Sequence, residues 1–142
     1  MNNQIIIVSI SKEVYMLKSV ILKDFFSFKG ENKIDLNKGV NLLLGINGSG
    51  KTSFIKALRF LYEGISGAGV ENLIQSQWGG FSQIANCAER DKASEIQITY
   101  IFDYEDVNKF ASSAPYHSDV FYRISIFPLG SNNLSPLSRH FV

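Results

Sequence analysis

Eight residues constrain this chain more than any others. Gly45-Ile46-Asn47-Gly48-Ser49-Gly50-Lys51-Thr52 fits the spacing G-x-x-x-x-G-K-[ST]. Before it, Val40-Asn41-Leu42-Leu43-Leu44 is short and almost continuously apolar, which predicts a strand covered on both faces. After it, Phe54, Ile55, Leu58, Leu61 and Tyr62 recur at helical spacing, with Lys56, Arg59 and Glu63 on the other face. That pattern predicts an amphipathic helix from Thr52 to Tyr62, stopped by Gly64. A strand entering a glycine-rich turn and leaving as a helix is an α/β unit of the P-loop kind.

The residue types at this spacing have physical reasons. Gly45, Gly48 and Gly50 are expected to take positive φ angles, so that successive backbone N–H groups turn inward as a nest for an anion. The following helix adds its unpaired N–H groups and the positive end of its dipole. Lys51 is expected to reach the β and γ phosphates of a nucleotide as a mobile point charge, and the Thr52 hydroxyl to ligate Mg²⁺. A bare turn between a strand and a helix has no use for a lysine there.

Composition sets the frame. The chain has 142 residues, 45% hydrophobic and 19% charged, which suits one globular domain and excludes disorder. One cysteine, Cys87, forms no internal disulfide, and two histidines with one thiol argue against a zinc site. The run from Gln4 to Ile10 is too short for a membrane span and lacks the features of a signal peptide, so a cytoplasmic protein is expected. Net charge is only +1, but through Glu63 there are nine basic residues against five acidic. A polyanion, if bound, belongs with that first half.

Elsewhere the reading is coarser. Ile5 to Val8 and Met16 to Leu22 are rich in aliphatic and β-branched residues and predict strands; Lys29 to Asn32 predicts a turn and Lys33 to Leu36 a short strand, together an antiparallel meander. Glu95 to Tyr100 and much of Val120 to Phe127 alternate polar and apolar, which predicts half-exposed antiparallel strands. Asp103 to Ala111 suits a short helix, and the tail from Gly130 an irregular segment. Residues 64–94 carry glycine-rich stretches and no clear period. Residues 1–15 are either an edge strand or an extension ahead of a natural start at Met16.

The segment from Met16 to Gly64, with its N-G-S-G-K-T-S loop, resembles the N-terminus of ABC-type ATPase heads of the SMC and RecF-like group, which includes AAA-family ATPases of DNA repair and phage defence. Glu71 to Ile74 followed by Ile96 to Phe102 is loosely similar to the segment that follows in such proteins. The resemblance implies an α+β lobe over residues 16–142: a P-loop NTPase with a mixed sheet, an antiparallel meander and one phosphate-loop helix, an incomplete head. It implies a nucleotide site at Asn47, Gly48, Ser49, Gly50, Lys51, Thr52 and Ser53, with ATP and Mg²⁺ as cofactors and Thr52 on the metal. It also implies that two heads sandwich ATP, as a homodimer acting on DNA.

Two departures from that pattern stand out. Many relatives have Arg or Lys two residues after the Asn or Asp that ends the first strand, where it can reach the phosphates. Here Asp24 is followed by Phe25 and Phe26, with Lys23 and Lys29 as candidate substitutes. The chain also contains no L-S-G-G signature, convincing Walker B pair or switch histidine. The resemblance therefore implies an N-terminal piece of a longer protein, without catalytic residues of its own.

Other candidates are weaker. Asp103 with Glu105 mimics a metal-binding acid after a strand, although the alternation before it argues for a loop carboxylate. His117, His140 and Cys87 lack partners that would make them ligands or nucleophiles. Trp78 and Phe81 suit stacking on a base or, more simply, packing. Lys18, Lys23, Lys29, Lys33 and Lys38 form a basic set that suits DNA phosphates or a solvated surface. Beside the ATPase stand two alternatives: a nucleotide-regulated interaction module without turnover, and a small P-loop kinase or GTPase, which would want an N-K-x-D or an arginine-rich lid.

Overall fold

The computed structural model describes residues 17–66, 69–86, 95–109, 115–128 and 137–141, the backbone alone for 64–66 and 137–141. Five strands form one sheet: β1 Leu17–Lys23, β2 Glu31–Asp35, β3 Ile96–Phe102, β4 Val120–Ile126 and β5 Leu137–Phe141. Their order is β2-β1-β3-β4-β5, and every pairing is antiparallel. The expected mixed sheet is thus not found among the described residues. Parallel pairing needs a crossover, and here β1 and β2 are joined by a tight loop through Gly30, at φ 62.

The register decides what is buried. Leu22 pairs with Ile98 and Val20 with Tyr100; Ile98 pairs with Ile124, and Tyr100 with Tyr122. With side chains alternating between faces, these residues line up on one face of the sheet. Helix α1, Lys51–Ser66, lies on that face and contributes Phe54, Ala57 and Phe60 to the same core. The Tyr100 hydroxyl donates to the carbonyl of Ala57 at 2.5 Å, tying the central strand to the helix. Each large side chain fully removed from water here is worth about 1.5–3 kcal/mol.

Several expectations change. α1 begins at Lys51 and runs past Gly64 to Ser66, because one interior glycine costs only about 1 kcal/mol and the packed face of the helix outweighs it. β3 is not half-exposed: Ile96, Ile98, Thr99, Tyr100 and Ile101 are all buried, since the strand sits in the middle of the sheet. β4 keeps the alternation only over its first half, with Phe121 and Arg123 exposed and Ile124 to Ile126 buried. The tail is not wholly irregular, for it supplies β5. Val40 to Leu44 forms no ladder among the described residues beyond a single bridge at Leu44, and Val40, Leu42 and Leu44 are exposed. Periodicity reports how apolar a segment is, and neighbouring strands decide whether it is covered.

Between α1 and β3 the chain makes short helical turns: α2 Val70–Asn72, a π-helical turn Leu73–Gln77 and α3 Phe81–Ile84. After β3, Asp103 caps α4, Tyr104–Asn108, accepting from the N–H of Glu105 at 2.9 Å. No helix among the described residues is long and apolar enough to cross a membrane. The expected strand at Ile5 to Val8, the extension 1–15 and Cys87 lie outside the described residues.

Candidate nucleotide site

The loop before α1 is shaped by glycine in two different ways. Gly48 and Gly50 take φ of 85 and 100, as expected for the nest. Gly50 also lies so close to the ring of Phe28 that a Cβ would come within 2.9 Å of its Cζ. Gly45, expected at positive φ, has none; its lack of a side chain makes room instead, since a Cβ there would meet the Ser49 hydroxyl at 2.5 Å. Ser49 is accordingly buried under the loop.

A cavity of about 290 Å³ opens on the other side of this loop, lined by Ser27, Asn47, Gly48, Gly50, Lys51, Thr52 and Ser53. Of the seven residues marked in sequence, six line it and Ser49 supports it from below. The lining includes no carboxylate. The Lys51 ammonium sits at the loop, donating to the carbonyls of Gly45 at 2.5 Å and Ile46 at 2.7 Å. The first turn of α1 has no acidic residue and begins with that lysine, a cation at the positive end of a helix dipole. An anion in the cavity would relieve both charges at once. Its oxygens would meet an ammonium, hydroxyls and helix N–H groups, while Thr52 offers a hydroxyl to a hard cation.

Sequence reasoning missed Ser27. Its hydroxyl accepts from Ser53 Oγ at 3.1 Å, and its N–H donates to the same oxygen at 3.4 Å, so the β1–β2 loop forms one wall of the cavity. That loop is pinned from behind: Phe26 N–H donates to Ile84 at 2.6 Å, and Asn86 donates to the carbonyls of Asp24 at 2.9 Å and Phe26 at 2.7 Å. Asp24 and Phe26 are held at φ 52 and 48, left-handed angles that cost about 1–3 kcal/mol for side-chain-bearing residues. The only signal in the sequence was the hydroxyl residue in the loop after Asp24.

The remaining candidates fall elsewhere. Lys23 and Lys29, considered as phosphate contacts, do not line the cavity. Asp103 caps α4, its Oδ1 accepting from the N–H groups of Glu105 and Asp106, and it does not line the cavity. Among the described residues no group of three or more His, Cys, Asp or Glu could hold a metal. Three of the five lysines in the basic set stand in ion pairs: Lys18 with Asp119 at 2.8 Å, Lys33 with Asp35 at 2.8 Å and Lys38 with Asp106 at 3.1 Å. Trp78 packs on Phe60 and Phe26, ring centroids 4.7 and 5.6 Å apart, against α1 and the β1–β2 loop.

A family described as an AAA domain matches residues 19–125, from β1 to β4. The chain belongs to this AAA-domain family. The cavity lies within the matched residues, and the likeness to an SMC-like ATPase head holds. Over 45 residues, 32% of the chain, this AAA domain is 40% identical to the structural maintenance of chromosomes protein 3 homolog of Plasmodium falciparum. Over 95 residues, 63% of the chain, it is 30% identical to the chromosome partition protein Smc of Lactiplantibacillus plantarum. The matched segments span only 4% and 7% of those two proteins.

Proposed function

We propose that this AAA domain binds ATP with Mg²⁺ at Asn47, Gly48, Gly50, Lys51, Thr52 and Ser53, as the nucleotide-binding part of a DNA-associated, ABC-type ATPase. The observation that carries this reading is the cavity itself. It is walled by glycine backbone and the start of α1, it holds a lysine, and it has no carboxylate in its lining to repel phosphate.

Lys51 takes phosphate oxygens in exchange for the neutral carbonyls it now meets, and the Thr52 hydroxyl holds the metal. Bound Mg²⁺ supplies charge neutralisation between phosphates. Ser53 on the helix and Ser27 on the facing loop orient the phosphate chain. Phosphoryl transfer depends on positioning and on stabilising charge, and water must be activated by a group these residues do not provide. The chain alone therefore binds nucleotide with negligible turnover, and a second head closing over the γ-phosphate completes the site. ATP then has differential affinity for the closed pair and ADP does not, so nucleotide controls pairing and, through it, DNA binding.

Light scattering on the protein tests the pairing, with a slowly hydrolysed ATP analogue and with ADP. A doubled mass with the analogue alone is expected. Equal mass and equal DNA affinity in both nucleotides would remove the sandwich and favour a nucleotide-regulated interaction module.

A further inference from the structure

One peptide unit links the wall of the cavity to a residue outside it. The carbonyl of Phe26 accepts from the side-chain amide of Asn86 at 2.7 Å, and the N–H of Ser27 donates to Ser53 Oγ at 3.4 Å. Carbonyl and N–H belong to the same trans peptide plane, so they point in opposite directions and turn together. Fixing the carbonyl therefore fixes the direction in which Ser27 leaves the loop. Ser27 and Ser53 both line the cavity, whereas Asn86 stands behind it, 5% exposed.

The loop needs such a restraint. Asp24 and Phe26 sit at φ 52 and 48, and side-chain-bearing residues keep left-handed angles only where the surroundings over-determine them. At its base the loop is closed between Asp24 and Gly30: the Asp24 N–H donates to the Gly30 carbonyl at 3.2 Å, and Asp24 Oδ1 accepts from the Gly30 N–H at 2.7 Å. Behind it runs the segment 84–86, bridged antiparallel between Phe25 and Ala85. Phe25, Ile84 and Ala85 are buried, so the core holds this bridge in place. The Phe26 N–H donates to Ile84 and the Asn86 N–H to Asp24, and the Asn86 side chain adds the bond that reaches the Phe26–Ser27 peptide itself.

Resting on the nucleotide reading above, we propose that Asn86 is a positioning residue of this site, which holds the Phe26 carbonyl and thereby sets the Ser27 hydroxyl against Ser53 at the cavity wall. Ser53 Oγ donates to Ser27 Oγ at 3.1 Å. With the peptide held, the two hydroxyls are one preset group that a phosphate meets as it stands. Without Asn86 the angle at Phe26 relaxes and Ser27 turns away, so a ligand must reorder the loop as it binds. The linkage is reciprocal: bound nucleotide tightens the clasp by the factor by which the clasp tightens nucleotide binding.

The test is calorimetric titration of MgATP into the parent chain, Asn86→Ala, Ser27→Ala and the double variant, with thermal unfolding of each. Asn86→Ala should bind about tenfold more weakly than the parent. In the Ser27→Ala background the same change should cost less than about twofold, since no hydroxyl is left to position. An asparagine that serves the fold alone would lower the unfolding midpoint and leave affinity level, or weaken binding by the same factor in both backgrounds, and either result would overturn the proposal. If Asn86→Ala does not fold, amide hydrogen exchange of the parent chain carries the test. Saturating MgATP should slow exchange of the Asn86 N–H about tenfold, and an unchanged rate in a chain that binds MgATP would overturn the proposal while leaving nucleotide binding intact. A parent chain that binds no MgATP would overturn the nucleotide reading itself, so the two failures are distinguishable.

Discussion

β3 and the run Val40 to Leu44 carry opposite sequence patterns and meet opposite fates. Glu95 to Tyr100 alternates polar and apolar residues like a strand with one wet face, yet Thr99 is as buried as its apolar neighbours. Val40 to Leu44 is nearly all apolar like a central strand, yet Leu42 is 46% and Leu44 48% exposed. The difference lies in neighbours. β3 has β1 and β4 on its two sides, α1 across one face and Arg123 bonded to Thr99 at 3.0 Å on the other. The Val40 to Leu44 run has no strand ladder among the described residues. Burial belongs to a position in the assembled sheet, and a segment's own hydrophobicity states only what it would tolerate.

The largest effect that sharpens this contrast is Ile98→Ala. Ile98 is fully buried between Leu22 and Ile124, and its truncation should cost about 2–5 kcal/mol in urea unfolding. A smaller effect is expected from Tyr100→Phe, about 1 kcal/mol at neutral pH, from the lost hydrogen bond to Ala57. Burial holds the Tyr100 phenol well above its ordinary pKa. The folded chain therefore keeps the proton after the unfolded chain has released it, and stability should fall as pH rises above about 10. Tyr100→Phe should show a shallower alkaline decline. The smallest effect should come from Leu42→Ala, within about 0.5 kcal/mol in this chain. A cost there as large as at Ile98 would break the comparison.

Legibility in the sequence divides along the same line. The phosphate loop could be read because its chemistry is local: Gly48 and Gly50 answer a backbone requirement, and Lys51 follows at fixed spacing into a helix whose period is unmistakable. Strands β1 to β4 could be read as segments, and so could the antiparallel pairing. Sheet order could not, because β3 sits between β1 and β4 through contacts distant in sequence. Ser27 joins the site through a bond to Ser53, 26 residues away, and the loop that carries it is held at Phe26 by Asn86, 60 residues further on. Gly45 was legible as glycine but for a different reason, making room for Ser49 where a turn angle was expected.

The central claim is that this glycine-walled cavity is a nucleotide site organised by Lys51. Calorimetric titration of MgATP into the parent chain and Lys51→Ala tests it most directly, with thermal unfolding of both as a check on the fold. Lys51 is at the loop surface, and among the described residues its partners are loop carbonyls and Ser49, so its removal should leave the unfolding midpoint nearly unchanged. The account predicts measurable binding by the parent and a loss of at least about tenfold in Lys51→Ala. Equal affinity in the two proteins would contradict it.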